Sequence, residues 1–265
     1  MILVRATPDL NLDYKADIVL QNLNTGVVKG LLMGANGTVS GTVLPFGTTG
    51  VAKLKVVGMA DLNCDGLADI VRQNATTGAI TVSYLNTSGV VTGSAPMFGG
   101  ASMGDWKVAA IMDLNGDGHD DLLFTNAKNH QVKGFLLDAT GALVSTVQPY
   151  GTTALTGLRV AGGADVNGDG RADILRQATN GKITASILTD DGNVQSTMPV
   201  LGGVAPGTMK LVGTTDLNAD GIEDLVLEDP SNGSLEGEIM DGAGNSVSTI
   251  SIGGGTAYGA FKVKG

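Results

Sequence analysis

Cysteine and aromatic residues are scarce in this chain, and long apolar runs are absent. The single cysteine, Cys64, has no partner for an internal disulfide bond. Aromatic residues make up only 4% of the 265 residues, so small and β-branched side chains must form most of the core. No stretch of 18 or more apolar residues occurs, and the sequence therefore predicts no transmembrane helix. The first five residues are too short and too polar for a signal peptide, so an exported protein would have lost its signal before this numbering begins.

Amphipathic helical patterns are also missing, whereas glycine is abundant, with 41 residues. Short segments rich in β-branched residues alternate with turns that contain Gly or Asn, which is typical of an all-β protein. The net charge of −10 disfavours nucleic acids and anionic membranes as partners. We therefore expect neither nucleic-acid binding nor membrane insertion.

A nine-residue segment rich in aspartate occurs five times without gaps, and its copies start 52, 52, 52 and 51 residues apart. The copies are residues 9–17, 61–69, 113–121, 165–173 and 216–224. Each copy is preceded by a short alternating run and followed by three strand-like segments with turns between them. Four short strands per repeat predict a propeller blade. Because one such sheet cannot bury both of its faces, we expect a single all-β domain over residues 1–265, a five-bladed β-propeller with almost no helix.

The first strand of the repeat occurs once more than a closed ring requires. The five repeats cover approximately residues 1–52, 53–104, 105–156, 157–207 and 208–259, and an extra copy of the first strand lies at 260–265. The terminal copies are Ile2-Leu3-Val4 and Phe261-Lys262-Val263. Three explanations remain open: the chain is a piece of a longer array, one terminal copy completes the ring, or one copy adds to another molecule and supports self-assembly.

The aspartate-rich segments have the donor pattern of a calcium site. Positions 1, 3, 5 and 9 carry Asp, Asn, Asp and Asp, and position 6 is Gly in four of the five copies. Calcium takes six to eight oxygen ligands, which alternate residues of a tight loop and the carbonyl of position 7 can supply. Gly at position 6 permits the sharp bend. We predict up to five Ca²⁺ ions, one per repeat, with these ligands: Asp9, Asn11, Asp13, Lys15 and Asp17; Asp61, Asn63, Asp65, Leu67 and Asp69; Asp113, Asn115, Asp117, His119 and Asp121; Asp165, Asn167, Asp169, Arg171 and Asp173; Asp216, Asn218, Asp220, Ile222 and Asp224.

Other metal sites fit this pattern less well. An EF-hand needs a Glu at position 12, where these repeats have Leu20, Arg72, Phe124, Arg176 and Leu227 in strand-like runs. A ligand set made only of oxygen disfavours zinc and copper. Five calcium ions would neutralise the net charge of −10. In the first repeat Tyr14 replaces the glycine, so we expect that site to be strained, weaker or empty.

No sequence motif indicates catalysis. A nucleophile elbow, a metalloprotease motif, a P-loop and a dinucleotide fingerprint are all missing. We interpret His119 and His130 as surface residues and Asp190-Asp191 as a solvated turn, so we predict no catalytic residues and no enzyme activity. Polar pairs such as Arg72-Gln73 and Arg176-Gln177 recur on the second strands, where they form either a ligand-binding ring or an exposed strand edge.

These loops, together with repeats that end in Phe46-Gly47, Phe98-Gly99 and Tyr150-Gly151, resemble the FG-GAP and VCBS-type repeats. Such repeats occur in integrin α-subunit propellers, in bacterial surface proteins and in some lectins. The resemblance implies a propeller with a calcium ion between the first two strands of each blade. Propellers of this family often have seven blades, whereas this chain has five repeats. Many bacterial members also carry Trp on the second and third strands, whereas here Trp106 is alone, at an expected core position.

The sequence thus predicts a secreted or cell-surface propeller of bacterial type, stabilised by calcium. Its expected role is recognition, adhesion or scaffolding, with a cell-surface protein or a glycan as partner. One alternative is a multivalent carbohydrate-binding lectin. A second alternative is a structural subunit of a surface layer or filament, joined by strand addition.

Overall fold

The computed structural model describes residues 9–51 and 53–263, and its strands form five four-stranded antiparallel sheets. In chain order the strands are β1 (Ile18–Asn22), β2 (Val28–Met33), β3 (Val39–Val43), β4 (Leu54–Ala60), β5 (Asp69–Asn74), β6 (Ile80–Leu85), β7 (Val91–Pro96), β8 (Trp106–Met112), β9 (Asp121–Asn126), β10 (Val132–Leu137), β11 (Leu143–Val147), β12 (Leu158–Ala164), β13 (Asp173–Ala178), β14 (Ile183–Leu188), β15 (Val194–Pro199), β16 (Lys210–Thr215), β17 (Asp224–Glu228), β18 (Ser234–Met240), β19 (Ser246–Ala257) and β20 (Phe261–Val263).

The sheets are the blades of a ring, which confirms the predicted five-bladed β-propeller. The first blade has the strand order β20-β1-β2-β3, and the other four blades are β4–β7, β8–β11, β12–β15 and β16–β19. In the described part of the chain, helix is limited to the short 3₁₀ segments Ala35–Gly37, Met97–Gly100 and Leu201–Gly203. No helix among these residues has the length and apolar character needed to cross a membrane.

Five hydrophobic clusters fill the interfaces between neighbouring blades. Val56 and Ile70 of the second blade pack with Val19 of the first, for example. Ile18 of the first blade packs with Val226 of the fifth, so the interface that closes the ring has the same character as the others. Each blade therefore buries apolar side chains on both faces, which a lone four-stranded sheet could not do.

The first strand of each blade lies nearest the axis of the ring. Strands β4, β8, β12 and β16 contact one another across the blade interfaces, so we call them inner strands. The aspartate-rich segments lead into the second strands at one end of the ring, which we call the loop end. The hairpins that join second and third strands lie at the opposite end, which we call the hairpin end.

The C-terminal strand completes the first blade. Strand β20 pairs antiparallel with β1, with Leu20 opposite Val263 and Asn22 opposite Phe261. The extra C-terminal copy found in the sequence therefore provides an inner strand within this molecule. The N-terminal copy, residues 2–4, lies outside the described residues.

The single tryptophan and the single cysteine of the chain, Trp106 and Cys64, make contacts of the usual structural kind. Trp106 is half-buried against the apolar cluster between the second and third blades, and the Lys133 ammonium lies 4.8 Å from the centre of its ring. Cys64 is exposed in the second aspartate-rich segment, where its thiol donates to the Ala139 carbonyl at 3.1 Å.

Candidate functional site

The five aspartate-rich segments, which we call the aspartate loops, share one backbone conformation. Position 6 has a positive φ in every loop, from 63° at Tyr14 to 90° at Gly170. This left-handed conformation explains the glycine found there in four repeats, because a β-carbon is disfavoured in it. Position 4 is also left-handed, including at Leu12, Cys64 and Ala219, a second bend that the sequence pattern did not reveal.

The side chains of positions 1, 3 and 5 turn into the loop and accept hydrogen bonds from its amides. In the third loop, the Asp113 carboxylate accepts from the Asp117 amide at 3.2 Å and from the Gly118 amide at 2.8 Å. Asp117 accepts from the His119 amide at 2.9 Å, and the Asn115 side-chain amide donates to Asp117 at 3.0 Å. The structure therefore brings these three predicted ligand positions into one turn.

The aspartate at position 9 is buried and faces the sheet. The members of this set are Asp17, Asp69, Asp121, Asp173 and Asp224, none more than 1% exposed. Asp121 accepts from the Leu114 amide of its own loop at 2.9 Å and from the Leu137 amide at the end of the third strand at 2.8 Å. This carboxylate thus ties the loop to the blade, a structural role in addition to the predicted metal binding.

Burial raises the pKa of every position-9 aspartate. The value is about 6 for Asp17 and Asp224 and about 7 for Asp69, Asp121 and Asp173. Desolvation is the largest cause, the backbone hydrogen bonds oppose it, and the neighbouring loop carboxylates raise the pKa further. A cation bound in the loop would favour the ionised form.

The oxygen donors of the aspartate loops fit a hard cation such as calcium only in part. In the described residues, no group of three or more Asp, Glu, His or Cys side chains is placed to hold a metal ion. In the second and fourth loops, however, the buried Oδ2 atoms of Asp69 and Asp173 make only weak contacts with the Leu62 and Val166 amides, whereas the equivalent oxygen of Asp121 accepts from the Leu114 amide at 2.9 Å. A weakly bonded buried carboxylate oxygen is costly, and a cation would reduce that cost. Side chains at positions 1, 3, 5 and 9 and the carbonyl of position 7 are the groups that would hold calcium.

Two of the aspartate loops contain a basic residue whose side chain contacts a carboxylate of the same loop. The Lys15 ammonium lies 3.3 Å from Asp13, and the Arg171 guanidinium lies 3.4 Å from Asp169 and also contacts Asp190. Both basic residues occupy position 7, where only the backbone carbonyl is a predicted ligand. Their charges weaken the negative potential of the first and fourth loops.

The glutamines of the second strands form neither a ligand-binding ring nor an exposed edge. Gln21, Gln73 and Gln177 are buried. The Gln73 side chain donates to the Trp106 carbonyl at 3.0 Å and accepts from the Val108 amide at 3.2 Å, both on the inner strand of the next blade. Gln21 and Gln177 make the corresponding bonds to the inner strands that follow them. We call this arrangement the glutamine clamp.

The arginines beside these glutamines lie between blades. The Arg72 guanidinium is 4.6 Å from the centre of the Phe46 ring, and that of Arg176 is 5.5 Å from Tyr150. Both arginines are less than one-tenth exposed, and the Nε atom of each has no hydrogen-bond partner. The aromatic residue of the Phe-Gly or Tyr-Gly motif thus covers a cation of the following blade. Sequence reasoning did not find this contact.

The residues considered for acid–base work lie apart. His119 is in the third aspartate loop at the loop end, whereas His130 is exposed at the hairpin end. Asp190 is 84% exposed in a turn of the fourth blade. The structure therefore does not bring the two histidines together.

Five such blades and their loops define a β-propeller built from repeats, and comparisons with known proteins agree. The model of the FG-GAP-like repeat matches residues 113–176 and 165–227. Together with the five-bladed structure, these matches support the FG-GAP family. A search of curated protein sequences found no similar protein.

Comparison with solved structures found several that align with most of this chain. One is an Agrocybe aegerita lectin described as recognising non-reducing terminal N-acetylglucosamine, with 18% identity, a TM-score of 0.50 and coverage of 99% of this chain and 85% of that one. Another is the Photorhabdus luminescens Tc holotoxin pore, with 15% identity, a TM-score of 0.48 and coverage of 95% and 12%. A third is a protein of unknown function from Bacteroides caccae, with 7% identity, a TM-score of 0.46 and coverage of 89% and 72%.

Proposed function

We propose that this chain is an extracellular, calcium-stabilised propeller that acts as a non-catalytic recognition, adhesion or scaffolding module. The FG-GAP-like repeats and the propeller fold support a binding module. The observation that carries the calcium proposal is the aspartate loop, repeated five times with oxygen donors only. A rigid ring of this kind offers two broad surfaces to a cell-surface protein or a glycan.

Calcium would act on the connection between the first and second strands of each blade. The loop connects the first strand of the blade to the second, and its position-9 carboxylate also accepts a hydrogen bond from an amide of the third strand. A metal that binds the folded loop and not the unfolded chain stabilises the fold by an amount that grows with the logarithm of the ratio of free metal concentration to the dissociation constant. The carboxylates of each loop repel one another without a cation, so metal removal leaves a net destabilisation.

Thermal unfolding in 2 mM calcium and in excess EGTA tests this proposal. At a free calcium concentration 100-fold above the dissociation constant, one site contributes about 2.7 kcal/mol. We therefore expect the melting temperature to fall by at least several degrees in EGTA. Asp173→Asn should reduce the calcium-dependent part of the shift, whereas Asp191→Asn, in an exposed turn, should not. Superimposable melting curves with and without calcium would refute the proposal.

A multivalent lectin is the second candidate. The Agrocybe aegerita structure, described as a lectin for terminal N-acetylglucosamine, aligns with 99% of this chain, and sites repeated every 52 residues would suit a multivalent ligand. A glycan array run with labelled protein in calcium and again in EDTA separates the two functions. Binding of a defined sugar in calcium favours the lectin, and a silent array favours adhesion or scaffolding.

Assembly into a surface layer or filament is the third candidate. It requires a terminal strand that is free to pair with another molecule. The C-terminal copy already pairs with β1, so an assembly contact of this kind would use the N-terminal copy. Light scattering over a hundredfold range of protein concentration measures it, and a constant monomer mass would exclude it.

A further inference from the structure

The glutamine of the clamp is replaced in two blades, by Glu228 in the fifth blade and by Thr125 in the third. In the second blade Gln73 is paired with Lys55, and in the third blade Thr125 is paired with Lys107 at the same register. A threonine side chain is too short to reach the inner strand of the next blade. The Leu158 carbonyl and the Val160 amide, which correspond to the clamped groups of other blades, have no side-chain partner among the described residues.

A cavity of about 770 Å³ opens beside Thr125. It lies at the hairpin end and extends from the third blade to the fifth. Its walls are mixed: Leu158 and Met209 are apolar, whereas Asn126 and Asn180 offer side-chain amides. A concave site with apolar walls and a few polar groups is the usual form of a small-molecule site.

The cavity contains a guanidinium without a counter-ion. The four other inner strands carry lysine at the equivalent position, as Lys55, Lys107, Lys210 and Lys262, whereas the fourth blade carries Arg159. Arg159 donates to the Gln177 side chain at 3.1 Å and to the Leu211 carbonyl, and among the described residues it forms no ion pair with a carboxylate. Although Arg159 is exposed to the cavity, surrounding protein atoms desolvate the guanidinium and lower its pKa. Lys210 also lies in the wall, with Glu228 opposite it on the neighbouring strand.

Charge is distributed unevenly between the two ends of the ring. The aspartate loops concentrate acidic side chains at the loop end, whereas the basic residues of the inner strands lie at the hairpin end. The net charge of −10 therefore does not describe the hairpin end, where the inner-strand basic residues outnumber Asp105, Glu228 and Asp229. An anion that approaches the hairpin end meets an attractive local potential in spite of the overall charge.

We propose that this cavity binds a small organic carboxylate whose remaining atoms carry hydroxyl groups. The Arg159 guanidinium has N–H groups left to pair with a carboxylate, and such charge-assisted bonds are about twice as strong as neutral ones. The Val160 amide is a second donor on the same strand, and the Leu158 carbonyl accepts from a hydroxyl group. Asn126 and Asn180 bind other hydroxyl groups, and Met209 covers an apolar face. This inference goes beyond the proposed recognition role and does not depend on calcium in the loops.

Calorimetric titration with sodium glucuronate tests the site, with glucose as the uncharged analogue and inorganic phosphate as a bare anion. All three titrations use the full chain in 2 mM calcium. We expect saturable binding of glucuronate that weakens as the salt concentration rises, and at least tenfold weaker binding of glucose and phosphate. Phosphate or glucose binding as tight as glucuronate binding, or no glucuronate binding at 10 mM, would overturn the proposal.

Variants locate the site within the ring. Arg159→Gln should weaken glucuronate binding about tenfold, since it removes a charge-assisted bidentate contact. Lys55→Gln changes the equivalent residue of the second blade and should alter binding less than twofold. Thr125→Gln restores the clamp, occupies part of the cavity and should abolish binding without lowering the melting temperature. Equal losses in Arg159→Gln and Lys55→Gln, or full binding by Thr125→Gln, would refute the assignment. Because calcium dependence is read from melting curves, failure of either proposal is distinguishable from failure of the other.

Discussion

At the scale of single residues, the backbone of the aspartate loop is strained, and only some repeats reduce that strain with glycine. Positions 4 and 6 are left-handed in all five loops, but Leu12 and Tyr14 occupy both positions in the first loop. The third and fourth loops have glycine at both positions. The first loop therefore carries the largest backbone penalty of the five, consistent with the expectation of a strained site.

Replacement of Tyr14 by glycine should relieve part of that strain. Tyr14 is 91% exposed and its hydroxyl group has little packing to lose. We expect Tyr14→Gly to raise the free energy of unfolding by about 1 kcal/mol, because a left-handed residue with a β-carbon costs 1–2 kcal/mol. Urea-induced unfolding measures the change. Tyr14→Ala removes the ring but keeps the β-carbon, and a gain equal to that of the glycine variant would contradict the explanation.

Buried arginines are the second feature at this scale. Arg176 is 8% exposed. Its guanidinium contacts the Tyr150 ring, but it makes no hydrogen bond in the described structure. Leucine occupies the equivalent position in the first and fifth blades, as Leu20 and Leu227. A buried cation without a partner charge is destabilising relative to a hydrophobic residue of similar size.

Arg176→Leu should therefore increase the free energy of unfolding by about 1 kcal/mol. The reverse change in the fifth blade, Leu227→Arg, is the matched control and should cost at least 3 kcal/mol, because the preceding repeat has Leu201 in place of the aromatic residue. Thermal and urea-induced unfolding of both variants measure these effects. A loss of stability in Arg176→Leu would show that the guanidinium makes stabilising contacts that the ring contact does not explain.

At the scale of elements, the glutamine clamp joins one blade to the next. Each clamp satisfies the carbonyl and the amide that an inner strand turns away from its own sheet. The clamp also explains why polar residues recur on the otherwise apolar second strands. Sequence periodicity detected the recurrence but not its purpose, because the partner atoms belong to backbone more than 30 residues away.

Gln73→Leu should destabilise the fold by about 2–3 kcal/mol, since it leaves the Trp106 carbonyl and the Val108 amide without partners in a buried interface. Chemical unfolding measures the loss. Gln195, which is exposed on β15, provides the control, and Gln195→Leu should change stability by less than 0.5 kcal/mol. Similar effects of the two substitutions would argue against the clamp.

At the scale of the whole molecule, ring closure depends on three residues at the C-terminal end. Strand β20 is short, but it supplies the inner strand of the first blade and brings the first and fifth blades together. Without it the first blade would lack its inner strand, and the ring would have an open seam. Closure by the last strand also converts a linear array of repeats into one cooperative unit.

Lys262→Pro should open that seam. Proline has no amide hydrogen for the pairing of β20 with β1, and we expect a loss of about 3 kcal/mol or more, or a less cooperative transition. Leu3→Pro makes the same change in the N-terminal copy and should have a much smaller effect. Differential scanning calorimetry distinguishes the two, and a larger effect of Leu3→Pro would show that the N-terminal copy closes the ring.

The sequence by itself determined the number of blades, the number of strands in each and the position of the aspartate loops. These features follow from local patterns, namely the 52-residue period, the alternation of apolar residues and the turns between strands. The glycines at position 6 even indicated a left-handed bend, because conformational preference at that position is a property of the residue itself.

Only the tertiary structure decided which terminal strand completes the first blade, what the second-strand glutamines bind and where a clamp is missing. Each of these features joins residues that are distant in the chain, so their effect depends on the geometry of the closed ring. The replacement of glutamine by Thr125 looks neutral in the sequence, yet in the ring Thr125 lies with Arg159 and Val160 in the wall of a cavity. Local pattern therefore specifies the blade, whereas the contacts between blades decide the surfaces on which function depends.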